Sequence, residues 1–293
     1  DLLELFNIPR SCLPEIRPSA GTWGSFERLG RKIDLRACLG DQQSATLGLG
    51  GVCEGSSVAN YGTGAFLLLN TGPRQHRIPG LLTSVGWSRE GAPPVFLEEG
   101  TVHAAGTSFD WLRDNLGLLK KNSDIDRLCR ASKRRVWALP AIGGLGAPRW
   151  DYQTRTAFFG LDSQTRPEDL VRGVAEGLAF FISDIAGAMR GGGLQLREVR
   201  ASGGLSRISY LIQFQADLLG LPITRCREAE VTALGAASLA VEAAGASWAG
   251  KLRGTAEDRK FEPLLPGAEA EALRQNWKAF VEAQVALSRL VRN

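Results

Sequence analysis

The spacing of apolar residues changes twice along the chain, and each change marks a different kind of structure. At the start, Asp1-Leu2-Leu3-Glu4-Leu5-Phe6 reads as the end of a helix. Pro9, Pro14 and Pro18 forbid its continuation and leave a loop and a short extended segment up to residue 40. From Asp41 the residues Ala45, Leu47, Leu49 and Val52 begin a Gly-rich crossing segment, with a domain boundary expected near Gly50-Gly51. Strands are then predicted at 57–61, 65–70, 81–87 and 94–99. Gly62-Thr63-Gly64 joins the first two, because glycine supplies the positive φ that a tight hairpin turn needs.

Beyond residue 106 the pattern alternates between helices and strands. Phe109, Trp111, Leu112, Leu116 and Leu119 give residues 107–119 a broad apolar helical face. A short strand is expected at 136–140 and a long helix at 167–190, with Thr165 as its N-cap and Glu168 completing a capping box. A strand at 197–201 runs into Ser202-Gly203-Gly204 and a helix through residue 218. Next come a strand at 223–225, an Ala-rich helix at 231–244 able to pack closely, and an irregular connector at 250–267 holding Pro263 and Pro266. Leu273, Trp277, Phe280, Val281, Leu287 and Val291 align on a closing amphipathic helix, 273–290. Hairpins followed by β-α-β-α units predict an α/β fold: a mixed five-stranded sheet with helices on its faces.

Composition narrows the function classes. A chain of 293 residues with 44% apolar and 23% charged content has the balance of a globular protein with a sizeable core. No apolar run approaches the roughly 20 residues that span a bilayer, so no membrane partner is expected. Cys12, Cys38, Cys53, Cys129 and Cys226 are odd in number, dispersed and free of any CxxC pair, which points to reduced thiols and a cytoplasmic location. With only His76 and His103, a histidine-based metal site is disfavoured. The net charge is +4, and its densest run, Lys133-Arg134-Arg135 backed by Lys120-Lys121, reads as a solvated connector. It lacks the interleaved aromatics of a nucleic-acid surface, so no nucleic-acid partner is expected.

Two short motifs carry the chemistry. Gly40-Asp41-Gln42-Gln43 offers a carboxylate that can take a proton from a hydroxyl, and Tyr61-Gly62-Thr63-Gly64 offers a glycine-flanked hydroxyl turn that can hold phosphate. Phosphoryl transfer to an alcohol needs both parts. Taken alone, Asp41 could as well be a helix N-cap, and the Thr63 turn an ordinary hairpin. In the phosphate reading, the Thr63 hydroxyl and the N–H groups of Gly62 and Gly64 are the donors. Gly203 and Gly204 stand where a strand turns into a helix, and their bare backbone would let a nucleotide lie close. No G-x-x-x-x-G-K-[ST] occurs, which excludes a P-loop kinase.

The stretch GDQQSATLGLGGVCEGSSVANYGTGAFLLLNTG, from Gly40 to Gly72, resembles the glycerol kinase branch of the FGGY family of carbohydrate kinases. The similarity continues, in order, through LLELFNIPRSCLPEIRPS, GTSFDWLRD, GLGAPRWD, SGG and EVTALGAASLA, and covers essentially the whole chain. The resemblance implies the second ribonuclease H-like lobe of the actin and Hsp70 ATPase superfamily, at 51–293, preceded at 1–50 by the end of a first domain. It implies an enzyme that transfers the γ-phosphate of Mg²⁺-bound ATP to a terminal hydroxyl of glycerol, giving sn-glycerol 3-phosphate and ADP. By the same resemblance Asp41 is the general base, Gln42 contacts the polyol, and Phe66 packs on its carbons. Gly62, Thr63, Gly64, Gly106, Asp110, Gly203, Gly204 and Ile208 then border the nucleotide.

Members of the family are much longer, so the chain reads as a C-terminal portion, inactive alone. Most of the polyol pocket and the metal ligands are expected in a preceding domain, and a homo-oligomer is implied by analogy only. Several positions depart from the pattern. Asp110 stands where many relatives have Gln, Ile208 where they have Asn, and Ser202 where they have Asp. Lys32, near Gly30, replaces the Arg of a loop that binds an effector sugar bisphosphate in some relatives, so that regulation is not expected. Two alternatives stay open: a kinase for another polyol or sugar, and a non-catalytic nucleotide-binding remnant.

Overall fold

The computed structural model describes residues 1–227, 230–246 and 259–291. A short helix α1 (Leu2–Leu5) precedes a hairpin, β1 (Ala20–Arg28) and β2 (Arg31–Ala37), and helix α2 (Asp41–Gly48). A meander of β3 (Ser56–Tyr61), β4 (Ala65–Gly72), β5 (Leu82–Trp87) and β6 (Val95–Val102) follows. After it come α3 (Gly106–Asp114), α4 (Ile125–Ala131), a small hairpin of β7 (Trp137–Leu139) and β8 (Ala157–Phe159), and α5 (Pro167–Gly191). The chain then runs through β9 (Glu198–Ser202), α6 (Ser209–Leu219), β10 (Ile223–Arg225), α7 (Val231–Ala243), β11 (Arg259–Phe261) and α8 (Gly267–Ser288).

The main sheet is mixed and seven-stranded, in the order β11-β10-β9-β3-β4-β6-β5. β3, β9 and β10 are parallel to one another, while β4, β6, β5 and β11 pair antiparallel with their neighbours. The α/β class and the mixed sheet are as expected, but the count of five strands was too low. Edge strand β11 was not read at all; the expected connector lies outside the described residues up to 258, and β11 begins at Arg259. The strand expected at 136–140 does form, as β7, but it pairs with β8 and stays out of the main sheet.

Strand periodicity sends alternate residues into different cores. Ala59 and Tyr61 of β3, with Ala65, Leu67 and Leu69 of β4, face a large core built with α3, α5, α6 and α8. Val58 and Leu68 face the other way, toward Ala45, Leu47 and Leu49 of α2 and Val231 and Leu239 of α7. This second face has little side-chain bulk between its two helices. A Cβ on Gly48 would overlap the Val231 carbonyl oxygen, and one on Gly235 would overlap the Ser44 carbonyl oxygen. The Ala-rich helix expected to pack closely does so, backbone against backbone.

Local signals explain where other boundaries moved. The helix predicted at 107–119 stops at Asp114, ahead of Gly117 at φ +65°. The long helix is capped at Arg166 and not at Thr165, because Pro167 takes the first helical position, where a missing N–H costs nothing. Asp169 accepts the Arg166 N–H (2.9 Å), while the Thr165 hydroxyl accepts the Asp162 N–H (2.8 Å) and closes the preceding turn. Within the basic run, Arg135 is not merely solvated: its Nε lies 3.2 Å from a carboxylate oxygen of buried Glu176, which Arg172 also pairs (2.7 Å).

Two measurements test this packing. Gly235→Val forces side-chain volume into a backbone contact and is expected to cost about 1–3 kcal/mol or more in urea unfolding. The second concerns Asp184, whose carboxyl burial pushes up to about 6, against the downward pull of the Trp277 indole N–H (3.0 Å) and Arg149. A carboxyl raised in the folded state contributes stability at low pH and loses it as pH rises through the folded value. Asp184→Asn, which keeps an acceptor for Trp277, is therefore expected to gain stability relative to the parent chain between about pH 4 and pH 7.

Candidate functional site

The parallel strands β3, β9 and β10 end at one edge of the sheet, where open α/β sheets place their ligand crevices. A cleft of about 550 Å³ opens there, between the hairpin turn after β3 and the turn after β9. Gly62 and Thr63 form one wall, Gly106 and Asp110 of α3 the next, and Gly204, Leu205, Arg207 and Ile208 the facing wall. Asn122, Ser123 and Asp126 close the remaining side.

The hairpin turn is held carbonyl-inward. Ala105 and Gly106 donate their N–H groups to the carbonyls of Thr63 (2.9 Å) and Gly62 (3.0 Å). Glycine is needed for this approach, since a Cβ on Gly106 would lie 2.8 Å from the Gly62 oxygen and one on Gly64 2.8 Å from the Val102 oxygen. The Gly62 N–H donates to the Gly64 carbonyl (2.8 Å), so it is engaged within the turn. The Thr63 hydroxyl is exposed, and neither it nor the Gly64 N–H has a partner among the described residues. Those groups are the ones available to an oxyanion.

Opposite, Gly203 adopts φ +91°, and a Cβ there would overlap the Tyr61 carbonyl, so the turn seats tightly on the end of β3. Gly204 is different: no atom lies within 4 Å of where its Cβ would be, and its face opens to the cleft. Ile208 stands at the N-cap of α6, where an apolar side chain cannot bond the free N–H groups. The cap comes from another helix instead. Asp126 Oδ1 accepts the Tyr210 N–H (2.7 Å) while Oδ2 takes Arg130 Nε (2.9 Å). On α3, Asp110 is neutralised by Arg113 (2.8 Å) and also accepts from Asn122 (3.3 Å), which offsets the charge it would otherwise present to an anion.

Asp41 occupies the first turn of α2, exposed, with Gly40 as N-cap and Oδ1 accepting the Gln42 N–H (2.8 Å). The turn is tied to the start of α7 by Ser44 Oγ, which donates to the Thr232 carbonyl (2.6 Å). Thr232 lines a cavity together with Asn60 at the carboxyl end of β3, which brings the start of α2 to that region, but Asp41 does not line the 550 Å³ cleft. Gln42 is half-buried beside it. Phe66 pairs with Asn60 across β3 and β4 and packs with Leu68 on the α2–α7 side. The expected residues thus fall into two groups. Gly62, Thr63, Gly106, Asp110, Gly204 and Ile208 share the cleft with Gly64 and Gly203 beside it, whereas Asp41, Gln42 and Phe66 belong to the opposite face of the sheet.

Sequence reasoning missed Asn122, Ser123 and Asp126, having taken this stretch for a loop. The spacing of Ile125, Leu128 and Cys129 was the available signal for the short helix α4.

The sequence profile of the C-terminal domain of the FGGY family of carbohydrate kinases matches residues 57–244. The chain belongs to this family. It is 42% identical over 289 residues to a glycerol kinase of Thermus brockianus, covering 96% of this chain and 58% of that protein. A glycerol kinase of Listeria monocytogenes is 38% identical over 296 residues, with 98% of this chain and 59% of that protein covered. Among solved structures, glycerol kinase of Plasmodium falciparum with ADP superposes with a TM-score of 0.89 at 29% identity, over 97% of this chain and 58% of that one. This chain therefore spans under two thirds of the length of these relatives, and its fold is that of the actin- and Hsp70-like ATPases. No cluster of three His, Cys, Asp or Glu side chains that could hold a metal ion occurs among the described residues.

The cap supplied by Asp126 gives a direct test. Asp126→Ala leaves the Tyr210 N–H without its acceptor and is expected to lower stability by about 1 kcal/mol, read from urea midpoints.

Proposed function

We propose that this chain is the nucleotide-binding portion of a glycerol kinase, which moves the γ-phosphate of ATP to a terminal hydroxyl of glycerol and releases sn-glycerol 3-phosphate and ADP. The observation that carries this reading is the turn at Thr63, whose hydroxyl and neighbouring Gly64 N–H have no partner among the described residues, with Thr63 lining the glycine-bordered cleft. The nucleoside lies between Gly106 and Gly204, with its phosphates directed toward Thr63. Gly204 has open space where a side chain would be, which suits close approach of a ligand.

Asp41 accepts the proton of the attacking hydroxyl, and the orientation of its carboxylate by the Gln42 N–H suits that role. Gln42 and Phe66 contact the polyol. Mg²⁺ would accompany the nucleotide and offset the charge of its phosphates, with its protein ligands expected in the preceding domain. Residues 1–50 form the end of a first domain and 51–293 the second, and closure of the two over the substrates excludes water. We further propose a cytoplasmic location. The five free cysteines fit it, and no helix among the described residues is long and apolar enough to cross a membrane.

Calorimetry with ADP tests the cleft: Gly204→Val is expected to weaken ADP binding at least about tenfold while leaving the urea midpoint within about 0.5 kcal/mol of the parent. A coupled assay of glycerol-dependent ADP formation by the protein that contains this chain tests the chemistry. There, Asp41→Asn is expected to lower kcat about 10²–10⁴-fold with ADP affinity unchanged. Full turnover by that variant would remove Asp41 from the role, and ADP release indifferent to glycerol would redirect the reading to another polyol or sugar.

A further inference from the structure

On the other side of the Gly203–Gly204 turn lies a second and larger cavity, of about 710 Å³, of which the kinase reading uses only the two glycines of that turn. It sits at the carboxyl ends of β9 and β10 and is lined by Arg207, Arg225 and Arg227. None of these three guanidinium groups forms an ion pair with a carboxylate among the described residues. Bringing like charges together at a strand end without counter-charge is costly unless an anion neutralises them.

The cluster is also held in place. Arg225 Nη1 donates to Ser209 Oγ (3.3 Å), and the Arg225 and Arg259 guanidiniums both lie over the Phe261 ring, at 5.5 and 4.7 Å from its centroid. Burial, then the charges of Arg259 and Arg227, lower the Arg225 pKa, against a smaller upward pull from Asp126.

A second observation is independent of the arginines. Ser202 lines the same cavity, is only 3% exposed, and its hydroxyl has no hydrogen-bond partner among the described residues. An orphaned buried hydroxyl costs free energy that a ligand acceptor would recover. The first turn of α7, at Val231 and Thr232, opens onto the cavity too and adds the positive end of its helix.

We infer that this cavity is a second anion site, one that takes a phosphate dianion, free or borne by a small phosphate monoester, between Arg225, Arg227 and the Ser202 hydroxyl. A phosphate offers acceptors enough for two guanidiniums and a hydroxyl at once, and guanidinium geometry suits it. Gly204 and Arg207 line both cavities, so the phosphate tail of a nucleotide is a competing source of the same chemistry.

The deciding experiment titrates inorganic phosphate into the chain by calorimetry, at constant ionic strength, with and without saturating ADP. One phosphate is expected to bind per chain in both arms. Arg225→Gln combined with Arg227→Gln is expected to weaken it at least about tenfold, the loss that follows from removing charge-assisted hydrogen bonds, with ADP affinity unchanged. Ser202→Ala, which removes only the orphaned hydroxyl, is expected to weaken phosphate several-fold at an unchanged urea midpoint, so the result does not hang on the double variant folding. Absence of phosphate binding, or binding indifferent to these substitutions, overturns the proposal. Phosphate binding abolished by ADP overturns it as well, assigning the arginines to the nucleotide's own phosphates. If ADP itself does not bind, the kinase reading fails, while the ADP-free arm and the variants still decide the anion site.

Discussion

The contact on which the rest of the structure depends is the crossing of α2 and α7 at Gly48 and Gly235. There two helices meet through main-chain atoms, with carbonyl oxygens filling the space that side chains occupy elsewhere. Residues far apart in the chain are thereby fixed against one another: Asp41 at the start of α2, and Val231 and Thr232 at the start of α7. Dispersion and tight packing do this work, and they leave no slack for even a methyl group. The sheet beneath sets the level at which both helices end, since Val58 packs with Ala45, Leu49 and Val231. Around this crossing the N-terminal hairpin is attached as well, through the reciprocal backbone-to-hydroxyl bonds of Ser19 and Ser88 (3.1 and 3.2 Å) and the Arg89–Glu242 ion pair.

The edge of the sheet shows how a small set of backbone constraints produces a binding surface. β3, β9 and β10 deliver their carboxyl ends together, and β3 and β9 are each followed by a segment that turns sharply. After β3 the turn faces its carbonyls into α3 and its hydroxyl outward. After β9 the left-handed backbone at Gly203 lets the turn seat against Tyr61. The same turn divides two cavities of different character. One is bordered by glycines and by the neutralised Asp110–Arg113 pair, the other by arginines with few counter-charges.

Much of this was legible in the order of residues. Short, largely apolar runs at 57–61 and 65–70 announced strands, and the Gly62-Thr63-Gly64 turn between them was found because a tight hairpin demands that chemistry. Six of the expected cleft residues do meet, since short motifs at strand ends travel with the strands that carry them. What escaped was decided partly by distant partners and partly by bonds closed within a turn. The Gly62 N–H is consumed inside its own turn, which four letters cannot reveal. α6 borrows its cap from Asp126, more than eighty positions earlier (|i−j| = 84), so Ile208 looked like a lost contact when it is a site served from elsewhere. β11 has only three residues and gains its strand character from pairing with β10. Thr165 was passed over as N-cap because the adjacent proline shifts the helix start by one residue.

One consequence follows from the bonds that Ala105 and Gly106 make to the hairpin carbonyls. They use up the leading amides of α3, so that helix spends its electropositive tip on the protein's own main chain and lends little of it to a visiting anion. Main-chain hydrogen bonds alone join the Thr63 turn to the helix that carries Asp110, so these two walls of the crevice are set against each other without help from any side chain.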